Sequence, residues 1–192
     1  MGKNKENKSK EELIKASGAL HYEMSMLNNC AKFYEQREKE LTQPQHSFLK
    51  NILIESFCVH LRNLIDFFGE RHKGYTTCQY FLPGNSNVTF SYNLKEKYGK
   101  KVNNLLSHLT FHRLTYGHEK KPWELGQIAG EVNKNFREFI KNADPNLLCD
   151  ELKKFDNYFT SDAPLTAGTV SYSCFGAKLL EPIKCDGPIN DP

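Results

Sequence analysis

The segment from His46 to Gly69 constrains the fold more than any other part of this chain. It reads HSFLKNILIESFCVHLRNLIDFFG, and its apolar side chains occupy most of a helical wheel drawn at about 100° per residue. A helix that is apolar nearly all round is normally a central helix. The segment therefore predicts the middle helix of a bundle, with apolar residues Leu49, Ile52, Leu53, Ile54, Phe57, Cys58, Val59, Leu61, Leu64, Ile65, Phe67 and Phe68.

A narrow polar stripe interrupts this apolar helix. Its members share an arc of about 60° on the wheel and are Asn51, Glu55, Arg62 and Asp66. Charged groups on such a helix need partners or water. The stripe is either the solvent edge of the helix, an ion-pair connection to a neighbouring helix, or a functional site completed by a group from another helix.

The flanking sequence predicts further helices. Apolar residues recur at three- and four-residue steps from Glu11 to about Leu41, and Ser9 with Glu12 predicts a capping box at the start. Gly18 is a candidate break within this first helix. The predicted apolar positions are Leu13, Leu20, Met24, Leu27, Ala31 and Tyr34.

The second half of the chain continues this pattern after an irregular connection at 70–92. A third helix is predicted over 93–114, with an apolar face that begins at Leu94, Tyr98 and Val102. Pro122 suits the first turn of a fourth helix, and Asp144-Pro145 begins a short fifth one that ends near 159. The predicted fold is all-α: an antiparallel helical bundle of four to five helices with an irregular C-terminal tail.

Composition and charge limit the classes of protein that remain. The 192 residues carry a net charge of +3, and the predicted domains are a disordered basic arm at 1–10, the bundle at 11–159 and an irregular extension at 160–192. No apolar run is long enough to cross a membrane, and no secretion signal opens the chain. Six cysteines without metal-ligand spacing indicate free thiols in a reducing cytoplasm.

The third helix offers the group that could complete a functional site. Asn104, His108 and His112 follow one another at four-residue steps, and a histidine at the edge of an apolar face can act as acid or base. A packing role for His108 is the alternative, and His112 with Arg113 would also complement the negative end of this helix. The pair His108 and His112 lacks the glutamate of a zinc-protease motif, so neither a metal nor a cofactor is predicted.

Three quoted stretches carry a resemblance to known families. They are ESFCVHLRNLIDFF at 55–68, VNNLLSHLTFHR at 102–113 and KPW at 121–123. Together they resemble a family of uncharacterised bacterial proteins in which an "ARNLLDFF" helix precedes an "NKxLAHLTxxR" helix. More distantly the arrangement is similar to HEPN domains, short all-α bundles of toxin–antitoxin, abortive-infection and RNA-processing systems.

The HEPN resemblance implies a dimeric ribonuclease that needs no metal and carries the motif R-x(4–6)-H. Here Asn103 occupies the arginine position before His108, and Arg62 would supply the charge instead. The implied roles are His108 as acid or base, Arg62 as phosphate stabiliser and Asn104 as substrate-positioning group. Glu55 and Asp66 would hold Arg62, and the partners would be RNA or a nucleotide and a second copy.

A non-catalytic bundle is the competing interpretation of the same residues. In that case the protein would dimerise or bind a partner, and its polar cluster would be a hydrogen-bonded network that fixes the register of the helices.

Overall fold

The chain folds as an all-α bundle. The structure, a computed structural model, describes residues 8–69, 76–84, 88–103 and 123–154, and none of these residues forms a β-strand. All of them belong to the first of two units of the chain, residues 1–162. Residues 1–7 of the predicted arm at 1–10 and the whole predicted extension at 160–192 lie outside the described residues, and the last residue of the predicted arm, Lys10, already belongs to the first helix.

Two long helices and a short one make up the first part of the bundle. They are α1, Lys10–Gln36, α2, Glu38–Leu41, and α3, Ser47–Phe68, with a 3-10 turn at Pro44–His46 before α3. In the described parts of the connection predicted at 70–92, a 3-10 turn covers Cys78–Tyr80 and the other described residues are irregular, as predicted.

The second part contains one more long helix. A π-helical turn, Lys95–Gly99, leads into α4, Lys100–Val102, which marks the start of the predicted third helix. The remaining elements are α5, Leu125–Asn142, a 3-10 turn at Pro145–Leu147 and the single turn α6, Asp150–Lys153.

The start of α1 is confirmed and its end is not. The Ser9 hydroxyl accepts from the Glu12 amide at 3.1 Å, and the Glu12 carboxylate accepts from the Ser9 amide at 2.8 Å, which is a capping box. The helix runs through Gly18 without a break and stops at Gln36. Arg37 has a non-helical conformation with φ −114°, so the predicted single helix to Leu41 divides into α1 and α2.

Two later boundaries also differ from the prediction. The fourth helix begins at Leu125, so the first turn does not include Pro122, which itself lies outside the described residues. The predicted fifth helix is only a 3-10 turn followed by α6 within the described range. Pro145 fixes a backbone angle that suits a 3-10 start, and the Asp144 carboxylate caps it by accepting from the Asn146 amide.

Pairs of contacts show that α1 lies antiparallel to both other long helices. Against α3, the Glu23–His60 contact is followed along α1 by the Cys30–Ser56 contact, so the residue numbers run in opposite directions. Against α5, the two side-chain amides of Asn28 and Asn133 exchange hydrogen bonds of 3.1 and 2.7 Å. Further along α1, the Glu35 side chain lies over Gly126, which is nearer the start of α5 than Asn133 is, so these two helices also run in opposite directions.

The core lies where these three helices meet. All six apolar positions predicted for α1 are buried, as are Ile128, Val132, Phe136 and Phe139 of α5. Aromatic rings join the C-terminal end of α3 to α5, since the Phe67 ring stands edge-on to the Phe139 ring with centroids 5.1 Å apart. This end of the bundle is therefore densely packed, and it holds the C-terminal half of α3 in place.

Candidate functional site on the exposed face of α3

The helix α3 is not buried all round, which corrects the prediction of a central helix. Its C-terminal half carries fully buried side chains, including Phe57, Leu61 and Leu64. Towards its start, Phe48 is 77% exposed and Ile52 44%, and Val59 further along is 58% exposed. The wheel could not reveal this because it shows which side chains share a direction and not how many neighbouring helices are present to cover them.

The exposed apolar side chains and the polar stripe lie on one side of α3. Phe48, Ile52, Glu55, Val59 and Arg62, which we call the exposed α3 face, are all exposed and follow each other at alternating steps of four and three residues. This spacing is the one by which a helix presents a continuous seam to a second helix. The face therefore has the pattern of a helix-pairing surface, with opposite charges on either side of Val59.

The predicted polar site falls partly on this face. Glu55 and Arg62 are exposed and Asp66 is half-buried, and none of the ion pairs among the described residues joins Arg62 to Asp66. Among the three interpretations of the stripe, this arrangement is that of a solvent edge.

The other half of the predicted site lies outside the described residues. This applies to Asn104, His108, His112 and Arg113, all on the predicted third helix. That Arg62 and His108 share a pocket therefore stays a prediction.

A buried histidine that the sequence did not single out lies on the flank of α3 that faces α1. His60 is 7% exposed, and its Nδ1 lies 2.7 Å from a carboxylate oxygen of Glu23 on α1. The Tyr22 ring stands edge-on to the imidazole with centroids 5.7 Å apart. The available signal was its position on the helical wheel beside Leu53, Leu64 and Phe67, an apolar arc where a polar group needs a partner. The pair joins α1 to α3.

A second polar group that sequence reasoning missed lies along α5. Glu131, Asn135 and Glu138, which we call the α5 polar row, are spaced by four and three residues and all bind the segment 91–98. Asn135 is fully buried, accepts from the Tyr92 amide at 3.0 Å and donates to the Tyr92 carbonyl at 2.7 Å. Glu138 accepts from both the amide and the hydroxyl of Ser91. Glu138 and Asn135 thus supply hydrogen bonds to backbone groups of Ser91 and Tyr92, which lie in the irregular stretch before the π-helical turn.

The charged member of this row has a perturbed pKa. Burial raises the pKa of Glu131, but hydrogen bonds from Lys97 at 2.5 Å, from Tyr98 at 2.8 Å and from Gln127 outweigh burial. The net pKa of the Glu131 carboxyl lies below its ordinary value of 4.5. Its hydrogen bonds raise the pKa of Lys97 in turn, so the pair is ionised at neutral pH.

The described thiols form no disulfide, and two of them are poor nucleophiles because they are buried. Cys30, Cys58, Cys78 and Cys149 form no disulfide, which confirms the prediction for these four. Burial raises the pKa of the Cys58 thiol to about 12 and that of Cys78 to about 11. Since the thiolate is the nucleophile, neither sulfur is activated at neutral pH.

Metal-binding and membrane-spanning features are absent from the part of the chain that the structure describes. Within these residues, no three side chains of the His, Cys, Asp or Glu type stand close enough to share a metal ion. None of the helices within them has the length and hydropathy that a membrane crossing requires.

Comparisons with protein-family models, with curated proteins and with solved structures find no match to this chain. The function of this chain is therefore inferred from the geometry of its exposed helix face and from the resemblance of its sequence to HEPN domains.

Proposed function

We propose that this protein is a helical interaction module that forms a homodimer through the exposed α3 face. The observation that supports this proposal is the row of three solvent-exposed apolar side chains, Phe48, Ile52 and Val59, at the spacing of a helix-pairing seam. Pairing would remove these side chains from water, which contributes about 25 cal/mol per Å² of apolar surface.

Charge complementarity favours a second copy in the antiparallel orientation. Glu55 lies four residues before Val59 and Arg62 lies three residues after it, so the charges are about 6 and 4.5 Å from Val59 along the axis. In an antiparallel pair that crosses at Val59, Glu55 of each copy faces Arg62 of the other. A parallel pair would instead bring glutamate to glutamate and arginine to arginine, which is repulsive.

Sedimentation equilibrium of the purified chain tests the proposal. The unmodified protein is expected to dimerise with a measurable Kd, and Val59→Arg is expected to raise that Kd at least about tenfold by burying an unpaired charge. Asn29→Arg adds the same charge at an exposed position of α1 and is expected to leave the Kd unchanged. A monomer at all concentrations, or equal effects of the two variants, would contradict the proposal.

A second proposal keeps the metal-independent ribonuclease of a defence or toxin-type system. Its support is the exposure of Arg62, which has no ion-pair partner among the described residues and is thus accessible to a phosphate. Incubation with mixed RNA in EDTA tests it. Cleavage that His108→Ala and Arg62→Ala both remove, while both variants stay folded, would support it, and cleavage that survives either variant would overturn the assignment.

A further inference from the structure

A cavity of about 570 Å³ lies between the end of α3 and the segment that the α5 polar row holds. Its walls come from Ile65, Phe68 and Gly69 at the end of α3, from the stretch around Cys78–Tyr80, and from residues 88–95. This volume falls within the range of small-molecule sites, roughly 300–1,000 Å³. The cavity is separate from the exposed α3 face, because none of the residues of that face lines it.

The described walls of this cavity present polar and apolar surface in about equal parts, and the apolar part is incompletely covered. They include aliphatic and aromatic side chains that pack against the core yet stay only partly buried, namely Phe68, Leu82 and Phe90. The Phe68 and Phe90 rings stand edge-on with centroids 4.9 Å apart, which fixes one wall. An apolar molecule would bury surface here that the protein leaves in contact with water.

The polar groups of the described lining indicate the charge of the occupant. Lys95 is the only ionised side chain among the described lining residues, and no ion pair between described residues engages its ammonium group. Burial raises the pKa of the Cys78 thiol, so this group is neutral. The Asn93 amide oxygen already accepts a hydrogen bond from the Glu96 amide at 3.2 Å. The described lining thus supplies one positive charge and no negative charge.

The segment that carries Lys95 is held rigidly, as a binding site requires. Asn135 binds both backbone groups of Tyr92, and Glu131 binds Lys97 and Tyr98, on either side of the lining residues Asn93, Leu94 and Lys95. These contacts fix the backbone that positions the ammonium group, which reduces the entropy that binding would otherwise cost.

From these observations, we propose that this cavity binds a small amphipathic anion, with an apolar body against Phe68, Leu82 and Phe90 and a carboxylate paired with Lys95. The protein would then carry a ligand site in addition to its interaction surface. This inference does not depend on dimerisation or on RNA cleavage.

Calorimetric titration of the full chain with decanoate, and with 1-decanol as its uncharged counterpart, tests the inference. We expect one decanoate per chain, and we expect Lys95→Gln to weaken its binding about tenfold while leaving 1-decanol binding within about twofold. Lys100→Gln removes an exposed lysine five residues away that is not part of the lining and is expected to leave both affinities unchanged.

A second variant tests whether the two molecules bind in this cavity or elsewhere on the protein. Leu82→Trp places a larger ring in the cavity and is expected to abolish binding of both molecules, with unfolding followed by circular dichroism to show that the variant is folded. If Leu82→Trp does not fold, amide shifts on decanoate titration supply the location, and they should centre on residues 88–95. Absence of decanoate binding, equal effects of Lys95→Gln and Lys100→Gln, or shifts centred on the exposed α3 face would each overturn the inference.

Discussion

The exposed α3 face and the α5 polar row use the same helical spacing for opposite purposes. Both place their side chains at steps of four and three residues, and both include charged groups. On α3 the charges of Glu55 and Arg62 are in water, without ion-pair partners among the described residues. On α5 the groups are largely buried and each is bonded to the segment 91–98. The difference indicates that the α5 polar row serves the fold, whereas the α3 face is available for binding.

The largest effect in this comparison is expected for Asn135→Ala. The change removes a fully buried side chain, leaves the Tyr92 amide without its partner and takes away one of the two hydrogen bonds that the Tyr92 carbonyl accepts, so we expect a loss of about 3 kcal/mol in the free energy of unfolding. Urea denaturation followed by circular dichroism measures it. Asn51→Ala, on the exposed side of α3, is the matched control and should change stability by no more than about 0.5 kcal/mol. Equal losses in the two variants would remove the distinction between the regions.

The next largest effect is expected for Glu131→Gln. This change keeps the shape of the side chain but removes the charge that Lys97 and Tyr98 contact, and we expect a loss of about 2 kcal/mol at neutral pH. The pKa of Glu131 is lowered in the folded protein, so its contribution is present above the ordinary value of 4.5 and is lost as the pH falls through the lower, folded pKa. The stability difference between the unmodified chain and the variant should therefore shrink on acidification. A stability difference that stays constant with pH would show that it does not come from the charge of Glu131.

A gain of stability is expected where a buried polar group has no partner. Thr77 is fully buried, and its hydroxyl has no hydrogen bond within the described structure. Thr77→Val keeps the shape and removes the unsatisfied hydroxyl, so we expect the free energy of unfolding to rise by about 1 kcal/mol. Thermal and urea unfolding measure it, with Thr76→Val at the exposed neighbouring position as control. A loss of stability in Thr77→Val would show that the hydroxyl is satisfied in solution.

The smallest effect on unfolding is expected for Arg62→Ala. An exposed arginine without an ion pair among the described residues contributes little, so the change should stay within about 0.5 kcal/mol when measured at concentrations where the chain is monomeric. An arginine in a buried ion-pair network would instead cost about 3–5 kcal/mol. A loss of that size would show that Arg62 stabilises the fold and is not a free part of the interaction surface.

The sequence predicted most of what local chemistry determines. The all-α fold and the capping box of Ser9 and Glu12 follow from propensity and hydrogen bonding between near neighbours. The buried positions of α1 follow from its periodicity, because neighbouring helices cover that one apolar face.

What the sequence could not supply depends on which elements meet. Phe48, Ile52 and Val59 are as apolar as their buried neighbours, and only the arrangement of the other helices leaves them exposed. The role of Asn135 was also hidden, because its partner is the backbone of Tyr92, 43 positions away. Backbone groups have no sequence signature, so such contacts need the fold before they can be identified.

The end of α1 was missed for a related reason. Residues 37–41 have helical character by themselves and do form a separate turn, α2. The chain leaves the axis of α1 at Arg37. After this change of direction Leu41 packs into the core and is only 1% exposed. Tertiary burial here outweighs the continuity of a local pattern.

A charge exchange between Glu55 and Arg62 measures whether two copies of α3 pair antiparallel around Val59. Sedimentation equilibrium is measured for Glu55→Arg, for Arg62→Glu and for the double variant. Each single change should place like charges opposite each other and raise the dimer Kd at least about tenfold, and the double variant should return to within about threefold of the unmodified chain. A double variant as weak as the weaker single variant, or an unmodified chain that never dimerises, would contradict the account.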